Sequence, residues 1–293
     1  MDAVILINQG GGSAGGDARE RVEAALAEAG IGGEIELIDD QIEKRAKAAA
    51  DSGAPLLIAG GGDGTISAVA GAIAGSRTAL GILPMGTLNH LARDLAIPFD
   101  LAEAAAVIAA GHRRKIDVAE LNGRIFVNNS AIGLYPLMLV DRDSQQKRLG
   151  RSKRLAMLVA SLRTLARFHD HRLTLRADGG SEGVDTPLLF VGNNDYRLAF
   201  PAAGRREALD DGHLCVLVMR KKGVAGMIAA TLRALVGLAR EDDMVRLDSV
   251  RHLRVESRRT HLTVSVDGET CSMTPPLDYR IRPGALTVIA SAA

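Results

Sequence analysis

The first 110 residues alternate between two patterns of apolar and polar positions. Short apolar runs predict strands, and apolar positions spaced three and four residues apart predict amphipathic helices between them. The predicted strands are residues 4–7, 34–38, 56–59 and 78–83, and the predicted helices are 18–29, 41–50 and a segment from 101 to 111. Strands that alternate with helices are typical of a doubly wound parallel sheet.

The pattern changes near Lys115, where strand-like runs follow one another with little helical spacing. These runs are residues 116–121, 125–128, 173–176, 188–191, 214–219, 253–257, 261–266 and 286–289. We therefore predict an α/β chain of two domains: a doubly wound parallel-sheet domain over residues 1–120 and a mainly antiparallel domain over residues 121–293.

A glycine-rich turn follows the third predicted strand, and a helical pattern follows the turn. Its sequence is Gly60-Gly61-Gly62-Asp63-Gly64-Thr65. Glycine lets the backbone approach an anion closely, and the first amides of the next helix point at that anion unpaired. Asp63 would repel phosphate unless it binds a metal or is held by backbone amides. The turn predicts a phosphate site, although an ordinary strand-to-helix turn has the same composition.

A second turn of this kind follows the fourth predicted strand, from Pro84 to Leu95, and contains Gly86, Thr87 and Asn89. Parallel neighbours place both turns at the carboxyl edge of one sheet, where open α/β sheets bind ligands. Thr87 and Asn89 then offer neutral donors to a nucleotide, and Thr87 also fits a helix N-cap.

A third glycine loop, after the first strand, matches the dinucleotide fingerprint as Gly10-x-Gly12-x-x-Gly15. Asp39 or Asp40 stands past the second strand, where a ribose-binding acid is expected. This pattern favours an NAD-dependent oxidoreductase. It leaves the two later glycine turns without a role, so we treat it as the alternative.

An acidic turn, Asp267-Gly268-Glu269, follows the alternating run 261–266. Asp-Gly between two strands is the sequence of a type I′ hairpin. The same position leaves a carboxylate at the end of a strand, where it can face a cleft.

Composition narrows the classes of function. The net charge is +1 and aromatic residues make up 3% of the chain, which argues against a protein devoted to nucleic acid. No run of about twenty uncharged apolar residues predicts a membrane span, and the amino terminus lacks a signal-peptide pattern, so we expect a cytoplasmic protein. Cys215 and Cys271 lack metal-ligand spacing and are expected to be free thiols.

The two glycine turns in combination resemble the diacylglycerol kinase catalytic-domain family, particularly its bacterial lipid kinases. The matching motifs are Gly61-Gly62-Asp63-Gly64-Thr65, Pro84-x-Gly86-Thr87-x-Asn89-x-x-Ala92-x-x-Leu95, Gly192-Asn193, Ala208-Leu209-Asp210-Asp211-Gly212-His213-Leu214, Asp267-Gly268-Glu269 and Pro283-Gly284-Ala285-Leu286. The resemblance implies a C-terminal β-sandwich and transfer of the γ-phosphoryl group of ATP to a lipid hydroxyl in the cleft between the domains.

The same resemblance implies roles for individual residues. Asp267 would be the general base and Glu269 would position magnesium or the base. The nucleotide would contact Asn8, Ser13, Gly61, Gly62, Asp63, Gly64, Thr65, Gly86, Thr87 and Asn89, and Mg²⁺ ligands would be Asp63, Asp210 and Asp211. Of these acids, Asp210 and Asp211 would belong to a structural magnesium site that joins the domains. His90 replaces an aspartate common in the family on the other side of that site, unless Asp94 takes its place.

The sequence leaves the acceptor open among diacylglycerol, a ceramide or sphingoid base, and another lipid alcohol. Two other functions remain as alternatives: a kinase for a soluble acceptor, like the NAD kinases that share the Gly-Gly-Asp-Gly turn, and a nucleotide-binding regulator without turnover. Basic residues precede two amphipathic stretches, 147–172 and 224–239, which predict transient contact with an anionic membrane surface. The oligomeric state stays open.

Overall fold

The computed structural model describes residues 3–8, 18–38, 41–133, 170–177, 180–196, 205–206, 208–220 and 243–291, together with residues 226, 229 and 233. Ser13, Asp39 and Asp40 lie outside the described residues, as do nearly all of the two amphipathic basic stretches. Within the described part of the chain, no helix is long and apolar enough to cross a membrane.

The first half of the chain alternates strands and helices. Its elements are β1 (Val4–Asn8), α1 (Ala18–Glu28), β2 (Ile35–Ile38), α2 (Ile42–Asp51), β3 (Leu56–Gly61), α3 (Asp63–Ile73), β4 (Ala79–Pro84), α4 (His90–Asp94) and α5 (Leu101–Ala110). Every residue of β3 and β4 is buried, as expected for parallel strands covered by helices on both faces.

The second half is built of strands. They are β5 (Arg113–Leu121), β6 (Arg124–Phe126), β7 (Asn129–Gly133), β8 (His171–Ala177), β9 (Gly180–Thr186), β10 (Leu188–Asn193), β11 (Leu214–Met219), β12 (Met244–Val250), β13 (His252–Ser257), β14 (Leu262–Val266), β15 (Glu269–Met273) and β16 (Leu277–Ile289). The prediction of a parallel-sheet domain followed by an antiparallel β-sandwich is confirmed.

Two sheets make up the described fold. The larger runs β2-β1-β3-β4-β16-β13-β8-β9, with β5 and β6 attached beside β16, and the smaller runs β12-β11-β10-β7-β14-β15. The strand order reverses between β1 and β3, with α1 packed beside α5 and α2 beside α3. The carboxyl ends of β1 and β3 therefore flank a crevice of the kind in which α/β sheets bind ligands.

Strand β16 belongs to both halves of the larger sheet. On one side it pairs with β5 in antiparallel fashion from Tyr279 to Ile289. On the other side its first residues pair with β13 in antiparallel fashion, and Thr287 and Val288 pair with β4 in parallel. The register with β5 breaks between Arg282 and Leu286, and Gly284 there has a φ of 58°. This bulge bends the strand from the sandwich into the α/β sheet.

The described residues contain two large apolar cores and a small third cluster around Tyr196, Cys215 and Leu217. One lies around β1, β3 and β4 and extends to Leu286, Val288 and Ile289 near the end of the chain. The other fills the space between the sheets, where the rings of Phe126 and Tyr279 meet edge to face with centroids 6.4 Å apart. The cores are separate, and β5 and β16 contribute residues to both.

Candidate functional site

The two glycine turns lie side by side at the carboxyl edge of β3 and β4, and the carboxylate of Asp63 joins them. Its Oδ2 accepts a hydrogen bond from the backbone NH of Asn89 at 3.0 Å, and its Oδ1 accepts one from the NH of His90 at 2.6 Å. These are unpaired amides at the start of α4, where a carboxylate is favourable. The carboxylate of Asp63 therefore holds the second turn in place. The sequence analysis gave the same carboxylate as a candidate Mg²⁺ ligand.

Glycine is required where the turns touch. A Cβ built on Gly86 would lie 2.6 Å from the Cα of Gly62, and one built on Gly61 would lie 2.6 Å from the side chain of Thr65. Such distances exclude a side chain unless the backbone moves. The two turns thus form one continuous backbone surface.

Neighbouring side chains fix this surface rather than point freely from it. The side chain of Asn89 accepts from the NH of Gly86 and donates to its carbonyl, both at 2.9 Å, while Asn89 itself has a φ of 49°. Asn8 Nδ2 donates to Thr65 Oγ1 at 2.8 Å and links β1 to α3. Thr87 is exposed at the mouth of the second turn.

Replacing Gly86 with alanine tests whether the close approach of the turns serves the nucleotide. Because the new methyl group would meet the backbone of Gly62, we expect the turns to separate and ATP affinity to fall by at least tenfold. Titration calorimetry with ATP measures the loss. Gly180→Ala is the matched control, since a Cβ there meets nothing within 4 Å. Equal ATP affinity in Gly86→Ala and wild type would show that this contact does not shape the nucleotide site.

Asp267 occupies the first position of a two-residue hairpin loop between β14 and β15. Asp267 and Gly268 have φ values of 47° and 85°, as a type I′ turn requires. The carboxylate turns inward and accepts backbone hydrogen bonds from Val127, Asn128 and Asn129 at 2.9, 2.8 and 3.0 Å. The turn expected from the sequence is present, and it directs an acid toward the α/β domain.

Two opposing effects act on this acid. Burial raises the pKa of the Asp267 carboxyl above its ordinary value, whereas the three backbone NH groups and the hydroxyl of Ser67 lower it. The balance is a raised pKa, so burial outweighs the hydrogen bonds. A carboxylate with a raised pKa is a better proton acceptor than an ordinary aspartate.

Glu269 lies at the rim of the same cleft, with Arg124 as its partner. Glu269 Oε2 accepts from Arg124 at 2.7 Å, and its Oε1 is 3.5 Å from the position of a Cβ built on Gly64. The first glycine turn and the acidic hairpin therefore face each other directly. Both Arg124 and Glu269 are substantially exposed, so the pair can rearrange around a ligand.

These elements enclose a cleft of about 480 Å³. Its walls are α2 with Lys44 and Lys47, α3 with Ser67, the start of β6 with Arg124, and the hairpin with Asp267 and Glu269. Three basic side chains thus face a cleft that is also lined by three carboxylates, those of Glu43, Asp267 and Glu269. The basic side chains can contact a polyanionic ligand that is bound next to an acid.

The structure keeps the remaining candidate metal ligands apart from this cleft's acids. Asp210 is exposed and forms an ion pair with Arg114 at 3.0 Å, and Asp211 is exposed as well. Among the residues that the structure describes, no group of three or more His, Cys, Asp or Glu side chains is arranged to hold a metal ion.

Sequence reasoning missed two buried charged residues near the site. Asp117, on β5, accepts from the NH groups of Gly212 and Gly284, each at 2.8 Å. Arg206 donates to Asp94 on α4 at 2.7 Å. Neither belongs to a recognisable sequence pattern, because their hydrogen-bond partners lie 95 to 167 residues away along the chain.

Comparison with known proteins agrees with this geometry. Residues 2–121 match the family model described as the diacylglycerol kinase catalytic domain, and residues 138–290 match the YegS C-terminal NAD kinase β-sandwich-like domain. A diacylglycerol kinase of Staphylococcus aureus is 30% identical over 216 residues, which are 73% of this chain and 68% of the relative.

Solved structures give the same result. A candidate diacylglycerol kinase from Bacillus anthracis superposes with a TM-score of 0.77 at 25% identity, covering 99% of this chain and 97% of the other. Yeast NADH kinase shares the fold with a TM-score of 0.56 at 12% identity, covering 100% of this chain and 84% of its own.

The α/β domain and the β-sandwich match the two family models, and these matches place the chain in a class of kinases. Within that class, the family models and the Staphylococcus aureus relative match one family. The chain belongs to the diacylglycerol kinase family.

Proposed function

We propose that this chain transfers the γ-phosphoryl group of ATP to the hydroxyl group of a lipid, with diacylglycerol, a ceramide or a sphingoid base as the acceptor. The observation that carries the proposal is the approach of Glu269 to Gly64, which brings the acidic hairpin and the phosphate turn to one cleft. Phosphoryl transfer needs this proximity, because catalysis here is mostly positioning and charge stabilisation.

The nucleotide would bind at the joined glycine turns. The amides of the Gly62–Gly64 segment would cradle its phosphates, with Thr65 and Thr87 as nearby hydroxyl donors. The NH of Gly86 donates to Asn89 and shapes the second turn instead. Lys44, Lys47 and Arg124 would supply the positive charge that a triphosphate requires. A bound Mg²⁺ fits carboxylate donors of the kind that Asp63 and Glu269 offer, and it would neutralise phosphate charge.

Asp267 would act as the general base. The acceptor oxygen attacks the γ-phosphorus, the bond from that phosphorus to the bridging oxygen breaks, ADP leaves, and the hydroxyl proton passes to the Asp267 carboxylate. The three backbone amides hold the carboxylate at one position, and its raised pKa favours accepting the proton.

The membrane-surface prediction rests on sequence alone, because Arg151, Lys153 and Arg154 lie outside the described residues. Reversing these three charges should lower binding to anionic vesicles and activity on bilayer substrate, yet spare activity on a short-chain soluble analogue. Each basic group near such a surface contributes about 1 kcal/mol. Vesicle sedimentation at two salt concentrations measures the effect. Equal losses on both substrates, or vesicle binding that ignores salt and charge, would remove the surface role.

A labelling experiment distinguishes the lipid kinase from its alternatives. Purified protein is incubated with γ-labelled ATP and, separately, diacylglycerol, ceramide, a sphingoid base, NAD or water, and the labelled product is identified. Label on a lipid supports the proposal and names the acceptor. Label on NAD indicates a kinase for a soluble acceptor, and ATP binding without any labelled product indicates a regulator.

A further inference from the structure

Arg206 is a fully buried cation at the contact between the α/β domain and the sandwich. Its side chain is 0% exposed, and its Nε donates to Oδ2 of Asp94, which is 8% exposed. Asp94 is the last residue of α4. An arginine is buried in this way only when its charge is paired and its donors are used.

Both terminal nitrogens of Arg206 also donate hydrogen bonds. They bind the carbonyl oxygens of Val127 and Asn193 and, at 3.1 Å, Oδ1 of Asn128, while the guanidinium lies 5.5 Å from the centre of the Tyr196 ring. The group is thus surrounded by one carboxylate, three neutral oxygens and an aromatic face. That set of partners satisfies a single permanent positive charge.

Arg206 shares two partners, Val127 and Asn128, with Asp267, and a third, Asp94, lies on the helix whose first amides bind Asp63. Val127 and Asn128 direct their NH groups to Asp267, and their oxygens accept from Arg206. On the other side, α4 begins with the amides that bind Asp63 and ends with Asp94. Arg206 therefore connects the segment that holds Asp63 to the segment that holds Asp267.

The structural magnesium site that the family resemblance implies does not fit these residues. Asp210 is paired with Arg114 at the surface, Asp211 is exposed, and His90 is exposed in place of the family's aspartate. Asp94, the acid one turn further along α4, is bound by Arg206. The position facing α4 already contains a cation.

We propose that the guanidinium of Arg206 replaces the structural metal at the joint between the domains, and that Arg206 is a positioning residue for the Asp267 carboxylate. The replacement of the metal by Arg206 is argued from the fold alone. The positioning of Asp267 for catalysis rests on the proposed function.

Chelation tests the first half without any variant or substrate. Purified wild-type protein is analysed for bound metal, and its melting temperature is measured with EDTA and with added Mg²⁺, in the absence of nucleotide. We expect less than one tenth of an equivalent of metal and melting temperatures that agree within about 1 °C. One equivalent of retained metal, or a clear loss of stability in EDTA, would overturn the metal-free joint.

Substitution tests whether Arg206 supplies the connection. Arg206→Met leaves Asp94 buried without a partner, so we expect the melting temperature to fall by roughly 6 °C or more. Arg254→Met is the matched control, since Arg254 pairs with Asp278 at a half-exposed position. This substitution should change the melting temperature by about 2 °C or less. Asp94→Asn, which keeps an acceptor, provides a milder variant should Arg206→Met fail to fold.

Hydrogen exchange provides the local readout. In Asp94→Asn and Arg206→Lys, the amides of residues 127–129 should exchange at least tenfold faster than in wild type, while those of β3 stay unchanged. Unchanged exchange at residues 127–129 would show that Arg206 does not hold this segment.

Kinetics test the positioning role. Arg206→Lys retains the charge but not the planar fork, so we expect kcat to fall by about tenfold with KM for ATP within about twofold, and Arg206→Met to fall further. A rise in KM alone would contradict positioning of the base. A wild type without activity on any lipid would remove the proposed function and leave the metal and exchange results standing.

Discussion

Asp267→Asn should lower the rate constant of phosphoryl transfer by roughly 10²–10⁴, the contribution usual for a general base, while ATP affinity changes by less than about twofold. Asparagine keeps the size of the side chain and suits the left-handed backbone of the hairpin. It cannot accept a proton at this position. Rapid-quench measurement of the phosphorylated lipid, with calorimetry for ATP, separates the two quantities.

Asp267→Asn should also lower the stability of the protein, because the carboxylate accepts a hydrogen bond from Val127. An asparagine NH₂ group placed at Oδ2 would meet the NH of Val127, donor against donor, at a cost of about 1–3 kcal/mol. Asp248→Asn, at a side chain 83% exposed on β12, is the matched control and should change neither rate nor stability. A full-rate Asp267→Asn enzyme would mean that Asp267 is a turn residue only.

The pH dependence follows from the same carboxylate. Since the pKa of Asp267 is raised, kcat should fall on acidification through a pKa above the ordinary value of about 4, and the acid limb should disappear in Asp267→Asn. The effect of pH on the stability contributed by Asp267 is opposite to that of an acid whose pKa is lowered by an ion pair. A group whose folded pKa is raised contributes stability at low pH, and that contribution is lost as the pH rises through the folded pKa.

Asp63→Ala should lower ATP affinity by at least tenfold and reduce turnover with it, while the protein still unfolds cooperatively. The substitution removes the carboxylate that joins the two glycine turns and leaves the amides of Asn89 and His90 without an acceptor. The start of α4 then becomes free to move away from α3, and the phosphate surface is split.

Asp100→Ala is a closely matched control for this change. Asp100 is likewise an aspartate that accepts from two backbone amides at a helix start, those of Ala102 and Glu103 on α5. Its loss should cost about 1 kcal/mol of stability and nothing in ATP affinity. If both variants bind ATP like wild type, Asp63 is an ordinary helix cap.

The sequence predicted the α/β half of the fold well because its strands are buried on both faces. Such strands appear as continuous apolar runs, and β1, β3 and β4 are of this kind. The edge strands β9, β12 and β15 were missed. Most of their side chains are exposed or partly exposed, so backbone pairing with β8, β11 and β14 forms them without an apolar pattern.

The candidate site was predictable to the extent that its chemistry lies in local motifs. Glycine turns after strands and an Asp-Gly hairpin can be found from neighbouring residues alone. The hydrogen-bond partners of the acids in these motifs cannot be found in this way. The amides that donate to Asp63 lie 26 and 27 residues further along the chain. The amides that donate to Asp267 lie about 140 residues earlier, and Arg206 lies 112 residues from Asp94.

The path of β16 bears on how this chain folds. Its parallel pairing with β4 joins Thr287 to Ala79, a separation of about two hundred residues, so one edge of the nucleotide-binding sheet has no partner until nearly all of the described chain has been synthesised. Contacts this distant in sequence slow folding, and an unpaired buried strand is prone to aggregate. The α/β half therefore depends on the carboxyl-terminal strand to complete its sheet and, produced without that strand, should be a poor independent folding unit.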